Sequence, residues 1–197
     1  RDCTTDIDEL WNPGRIIGYA KKVQDLVNAR KMFLYEHPLK AAAIIKIILN
    51  NDKAKSISFS RSTLFCDLLV HKAREKGITS VALHSKIESQ PLKVNGQYIL
   101  YKSGKRKGEP KVFGKKKLTE YILQQYASGY VDLLSTGSSL DTGFDDKTIR
   151  IGFNSSYTSN PNTLEQILGR VHRFVSKDEP VLFVNIYFKH TVEERWL

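Results

Sequence analysis

Short β-prone runs alternate with helix-patterned stretches along the chain, and that alternation restricts the fold more than any other feature. Lys55-Ser-Ile-Ser-Phe-Ser60, Thr79-Ser-Val-Ala-Leu83, Val131-Asp-Leu-Leu134, Thr148 to Phe153 and Val181-Leu-Phe-Val-Asn-Ile-Tyr187 read as strands. Pro38 opens a helix from Leu39 to Leu49. Ser62 or Thr63 begins another, which runs to about Lys76 and stops at Gly77. A third runs from about Lys117 to Ala127. An earlier helical pattern passes through Val23, Leu26, Val27, Met32 and Phe33, and Thr191 to Leu197 reads as the start of a last helix. Strands separated by helices predict an α/β fold with a parallel sheet of about five to seven strands and helices on both faces. In such sheets, ligands and reactive loops gather at the carboxyl ends of the strands.

One octapeptide carries most of the chemistry. Gln166-Ile-Leu-Gly-Arg-Val-His-Arg173 falls in a predicted helix, preceded by Pro161 and by the capping-box-like Asn162-x-x-Glu165. At 3.6 residues per turn, Gln166, Gly169, Arg170 and Arg173 share one face. Leu164, Ile167, Leu168 and Val171 share the opposite face. One side can then pack into a core while two guanidiniums and an amide project together from the other. Such a pair suits a polyphosphate, or charge developing on a transferring phosphoryl group. The same pattern also describes the solvated face of an amphipathic helix. Earlier in the chain, Leu133-Leu-Ser-Thr-Gly-Ser-Ser139 leads from a strand into small polar residues, and Gly143-Phe-Asp145 turns toward the next strand. Hydroxyls and backbone N–H groups at that position suit phosphate contact.

Charge points the same way. Lys and Arg number 31 against 21 Asp and Glu, a net charge of +10. A chain this basic suits a polyanionic partner, of which nucleic acid is the commonest. The charge is concentrated in a segment of about 86–117 that breaks the strand–helix rhythm. Within it, over 102–117, Lys102, Lys105, Arg106, Lys107, Lys111, Lys115, Lys116 and Lys117 are opposed only by Glu109, which places seven of the ten net charges in this one stretch. The segment predicts a basic β-hairpin insertion, with Tyr98 to Tyr101 running out, Gly104 to Pro110 as the tip and Lys111 to Phe113 returning. It suits a grip on a phosphate backbone. It equally suits a solvated loop.

Several functions are disfavoured. Cys3 and Cys66 provide neither a disulfide framework nor metal-site spacing, and Cys66 sits in an apolar helical pattern as a core residue. The 5 histidines show no metal spacing. The chain has no secretory leader pattern and no apolar run of membrane-spanning length, so an intracellular, non-secreted protein is expected. Gly108 to Gly114-Lys115-Lys116 imitates a phosphate-binding P-loop, but five residues separate the glycines instead of four, and Lys116 stands where Ser or Thr would hold magnesium. Asp8-Glu9 lacks the preceding apolar strand of a magnesium-binding carboxylate pair. The chain is not expected to hold a nucleoside triphosphate and its magnesium unaided. It begins on Arg1 rather than Met, as a fragment or processed piece would.

Together these motifs resemble the second RecA-like lobe of a superfamily 2 helicase or translocase. Ser58-Phe-Ser-Arg61 resembles motif IV, and Leu83-His-Ser85 resembles the Leu-His-Gly that follows it. Leu134-Ser-Thr-Gly137 through Asp145 resembles motif V, and Gln166 to Arg173 matches the QxxGRxxR of motif VI. The tail, through Asn160 to Gln166, Val181 to Tyr187 and His190 to Arg195, resembles Swi/Snf-type motors, and the Ser-Thr-Gly also resembles phage-type members. The resemblance covers 38–197 apart from the insertion. Residues 1–37 are then a connecting segment and first helix.

The resemblance implies a division of labour. Arg170 and Arg173 would face the ATP γ-phosphate, one of them as an arginine finger. Gln166, Gly143 and Asp145 would support the nucleotide and the lobe interface. Ser60, Arg61, His84, Ser85, Thr136 and Gly137 would lie along the nucleic-acid backbone, with Lys105, Arg106, Lys107 and Lys111 adding phosphate contacts. Spacing from Thr136 to Gly143 is about one residue longer than in DEAD-box members, and Thr142 replaces their usual Arg. The implied function is the carboxyl-terminal motor lobe of an ATP-dependent translocase or helicase, with duplex DNA as the expected track. ATP and Mg2+ would be held mainly by an amino-terminal lobe, and this chain alone would be inactive. Two rivals are a non-enzymatic basic nucleic-acid-binding module on a RecA-like scaffold, and an arginine-finger partner for another protein's ATPase.

Overall fold

The computed structural model describes residues 13–91, 93–94, 97–137, 146–156 and 181–196. A helix, α1 (Pro13–Tyr35), comes first, followed by α2 (Pro38–Asn50), β1 (Ser56–Phe59), α3 (Thr63–Glu75) and β2 (Ser80–Leu83). Four short strands come next: β3 (Gln90–Pro91), β4 (Lys93–Val94), β5 (Gln97–Tyr98) and β6 (Val112–Phe113). Helix α4 (Lys115–Ala127), β7 (Leu133–Thr136), β8 (Ile151–Asn154), β9 (Leu182–Asn185) and a 3-10 turn, Glu194–Trp196, complete the described elements.

The five longer strands form one sheet in the order β2-β7-β1-β8-β9, and every pairing is parallel. Strand alternation sorts the side chains between two cores. Ile57 and Phe59 of β1 and Leu134 of β7 meet Leu118, Ile122 and Tyr126 of α4 on one face. Leu133, Ile151 and Phe153 meet Ala41, Ile44 and Ile48 of α2 and Phe65, Leu69 and Ala73 of α3 on the other. The central strands are buried on both faces, as parallel strands between helix layers must be.

Local chemistry sets the helix ends. Pro38 occupies the first turn of α2, and the His37 side chain accepts from the Leu39 N–H at 3.3 Å. The Ser62 hydroxyl caps α3, accepting from the Phe65 N–H at 3.2 Å while donating to Glu36 Oε1 at 2.7 Å. Gly77, at φ 70°, lets the chain reverse after α3, with the Ile78 N–H returning to the Ala73 carbonyl at 3.0 Å. Along α1, Ile17, Tyr19, Val23, Leu26 and Phe33 remain exposed.

The end of the chain departs from expectation. Where a helix is predicted from Thr191, the structure has only the 3-10 turn. The side chains there hold the preceding turn instead: Thr191 Oγ1 donates to the Phe188 carbonyl at 2.7 Å, and Glu194 accepts from the His190 N–H at 2.6 Å. Glu193 is fully buried, receiving Lys40 Nζ at 2.5 Å and the Phe188 N–H at 3.1 Å. These competing side-chain hydrogen bonds replace a regular helix start. The predicted boundary of α4 also moves, from about Lys117 to Lys115, with Gly114 at its N-cap.

Between β2 and α4 the chain folds into an antiparallel ribbon. Leu100 and Pro110 pair directly. The Lys111 N–H donates to the Ile99 carbonyl at 2.7 Å, and the Tyr101 N–H donates to the Glu109 carbonyl at 3.0 Å. Ile99 and Phe113 turn inward against the α4-side core, which anchors the ribbon to the body of the fold.

Candidate nucleic-acid interface at the carboxyl ends of the strands

Three neighbouring strands end level with one another. Phe59 of β1 and Leu83 of β2 are both in register with Thr136 of β7. The residues that follow must therefore emerge side by side at one edge of the sheet. Ser60 and Arg61 leave β1, His84 and Ser85 leave β2, and Gly137 leaves β7. The backbone ties these exits together: Ser60 N–H donates to the Thr136 carbonyl at 2.9 Å, and Gly137 N–H donates to the Leu83 carbonyl at 3.2 Å. Gly137 fits closely between its neighbours. A Cβ there would come within 3.8 Å of His84 Cβ and 4.0 Å of the Ser60 carbonyl oxygen.

The six residues do not offer the same surface. Arg61 and Ser85 are exposed. His84 is mostly enclosed, and its Nε2 lies 3.0 Å from Asp67 Oδ1 on α3, which fixes the ring at the sheet edge. Thr136 is buried, and its hydroxyl donates to the Gly137 carbonyl at 3.2 Å. Ser60 is also buried, with its hydroxyl 3.1 Å from Ser156 Oγ and accepting from the Ser62 N–H at 3.1 Å. Ser60 and Thr136 thus shape the edge, whereas Arg61 and Ser85 reach from it.

A fourth strand completes this edge. Asn154 ends β8, and Ser155 and Ser156 follow it as the hydroxyl-rich residues follow β7. Ser155 Oγ donates to the Phe59 carbonyl at 2.9 Å, and Ser156 Oγ accepts from the Arg61 N–H at 3.0 Å. The sequence reading missed these three. Their signal was the one used at β7, small polar residues directly after an apolar strand. Lys40 joins the same corner from α2, donating to the Ser155 carbonyl at 2.8 Å. Burial lowers its pKa, and the hydrogen bond and charge of Glu193 oppose that effect.

The basic ribbon is the second candidate surface. Lys105, Arg106, Lys107 and Lys102 are exposed around its tip, and Lys111 lies on the returning arm. Arg106 Nε sits 3.1 Å from Glu109 Oε2 and its guanidinium lies over the Tyr101 ring, while Lys111 Nζ lies over the Phe113 ring. The ion pair is exposed, so it restrains Arg106 only weakly against a competing anion. The remaining predicted site residues, Gly143, Asp145, Gln166, Arg170 and Arg173, lie outside the described residues. Among the described residues no group of three or more His, Cys, Asp or Glu could hold a metal ion. No described helix is long and apolar enough to cross a membrane.

The chain belongs to the helicase conserved C-terminal domain family, whose model matches residues 39–175. The sheet is that of a RecA-like helicase lobe. Escherichia coli DEAD-box protein SrmB, solved bound to the regulator of ribonuclease activity A, superposes with a TM-score of 0.54 at 16% identity, covering 75% of this chain and 69% of that one. The C-terminal part of the Fun30 ATPase domain gives 0.57 at 14% identity over 80% of this chain and 43% of that one. The Pyrococcus furiosus Hef helicase domain gives 0.52 at 18% identity over 98% of this chain and 34% of that one. The chain therefore spans about a third to two thirds of the length of these structures. No curated protein matches the sequence.

Proposed function

We propose that this chain is the carboxyl-terminal motor lobe of an ATP-dependent translocase or helicase that moves on nucleic acid, with duplex DNA as its track. The observation that carries the reading is the level edge formed by the ends of β2, β7, β1 and β8, in a chain that also contains the complete Gln166 to Arg173 motif. A binding module needs the first feature but not the second. The tail and the Ser135-Thr-Gly137 run further favour the Swi/Snf-type and phage-type branches.

In this reading Arg61, Ser85 and the edge around Gly137 hold the phosphate backbone, and the ribbon lysines add a diffuse grip. ATP, when bound between this lobe and an amino-terminal one, supplies the phosphoryl group whose transfer drives the cycle. Gln166, Gly143 and Asp145 orient the nucleotide from this side, and Arg170 and Arg173 stabilise charge on the transferring group. Both partners of this lobe, the nucleic acid and the amino-terminal lobe with its magnesium carboxylates, place its work inside the cell.

ATP turnover of the 197-residue chain, compared with that of the two-lobe protein, tests the lobe assignment. The two-lobe protein should hydrolyse ATP and respond to nucleic acid, and the chain alone should not. Turnover by the chain alone, abolished by Arg173→Ala, would show that a complete nucleotide site resides here.

A further inference from the structure

Helix α1 ends against the tail of the chain, and a cleft of about 820 Å3 lies between them. Arg30, Phe33 and Leu34 of α1 form one wall, and the turn from His190 to Arg195 forms the other. Both walls are fixed from behind. The His37 ring meets Phe33 edge-on at 5.7 Å and Phe188 at 5.0 Å, and the buried Lys40–Glu193 pair pins the tail between Val192 and Glu194. Arg30 and Arg195 are exposed, and neither has an ion pair or hydrogen bond among the described residues. Glu194, the carboxylate of the lining, accepts from the His190 N–H at 2.6 Å. A cleft of this size, with unpaired guanidiniums beside apolar side chains, suits a ligand that is both anionic and apolar.

The cleft continues a row that runs along α1. Ile16, Tyr19, Val23, Leu26, Arg30 and Phe33 alternate three and four residues apart, the spacing of a seam that pairs with another helix. Leu26 is 70% exposed and Phe33 66%, and Tyr19 and Val23 are exposed with them. Lys22 lies near the Tyr19 ring and His37 near that of Phe33, contacts that leave both rings largely in solvent. Row and cleft share Arg30 and Phe33, so one elongated occupant would cover both. Charge narrows what that occupant is. Arg15, Lys21, Lys22, Arg30 and Lys31 are opposed on α1 only by Asp25, so a second copy of the helix would set cation against cation. A phosphate backbone would meet the cations and leave the apolar row in water. We infer that α1 and the cleft at its end dock an amphipathic helix of a partner protein, one whose apolar seam is flanked by Asp or Glu. The seam lies on Tyr19, Val23, Leu26 and Phe33, and the carboxylates meet Arg30 and Arg195. This assignment goes beyond the motor reading and does not depend on it.

The test follows the fluorescence anisotropy of two synthetic helical peptides, each of about three heptads to match α1, with the full-length protein. Both peptides carry Leu at the a and d positions; one has Glu at e and g, the other Lys. The Glu peptide should bind and the Lys peptide should not. Leu26→Gln with Phe33→Gln should weaken the Glu peptide roughly tenfold or more while leaving the melting temperature unchanged, because both side chains are exposed. Arg30→Glu with Arg195→Glu should weaken it comparably and transfer binding to the Lys peptide. Binding of neither peptide, or of both alike, would overturn the proposal, as would an unchanged Glu-peptide affinity in the two double variants. A dimer of the full-length protein that Leu26→Gln with Phe33→Gln dissociates, seen by light scattering, would give the seam to a second copy instead. Lost nucleic-acid affinity in the charge-reversed variant, with peptide binding intact, would give the cleft to nucleic acid.

Discussion

At the scale of single residues, burial decides what each polar group can do. Cys66 is fully buried in α3, and burial pushes its thiol up to about 11, with Ser135 opposing and the Asp67 charge adding to the shift. The sign follows directly. The unfolded chain loses the thiol proton first, near the ordinary thiol value of 9.0, so the stabilising difference is complete below pH 9 and is lost as pH rises toward 11. The loss corresponds to about 3 kcal/mol. Urea unfolding at pH 8 and pH 11 should show that fall, and Cys66→Ala should shrink it; an equal fall in the variant would contradict the assignment. Lys40 and Glu193 show the opposite design, a buried charge pair. Lys40→Met alone should cost about 3–5 kcal/mol, since it strands a buried carboxylate, and adding Glu193→Leu should recover most of that loss. Equal destabilisation by the double and single variants, read by thermal unfolding, would show that the pair is not the reason.

At the scale of elements, the regular repeat was easy to read and the side-chain partnerships were not. Runs such as Val181 to Tyr187 and the Ser62-capped helix are legible because apolar period and capping chemistry are local properties. The observed strand Leu182–Asn185 falls within the predicted Val181 to Tyr187, Leu133–Thr136 overlaps the end of the predicted Val131 to Leu134 and runs two residues further, and the five-stranded parallel sheet agrees with the expected architecture. The tail was misread because its outcome depends on a distant lysine. Glu193 looks like an ordinary helical carboxylate until Lys40, on α2, is seen to reach it. The polar edge divides in the same way. Sequence position alone brought Ser60, His84 and Gly137 to one end of the sheet, since neighbouring parallel strands end together. It could not show that the Ser60 hydroxyl is spent on Ser156 and Ser62. Nor did it single out Asn154 to Ser156, although the same strand-then-hydroxyl pattern was there to be used.

At the scale of the whole molecule, the sheet is a frame that carries the candidate site residues on one edge and the densest charge on a separate ribbon. The family match reaches from the start of α2 to just past the two-arginine motif, and the ribbon lies between β2 and α4 within that span. On the motor reading proposed above, the nucleotide site is complete only when a partner lobe closes on this one, so its chemistry belongs to the assembled protein. Hydrolysis and track binding should then separate cleanly under mutation. The most direct measurement is the steady-state ATP turnover of the two-lobe protein carrying Arg173→Ala or Arg170→Ala, paired with nucleic-acid affinity for the same variants. The motor account predicts that the finger variant loses on the order of 10³ or more in turnover, that the other variant is also impaired, and that nucleic-acid affinity changes little in either. Near-normal turnover with lost nucleic-acid affinity would contradict it, and would make the two arginines part of a phosphate-binding surface.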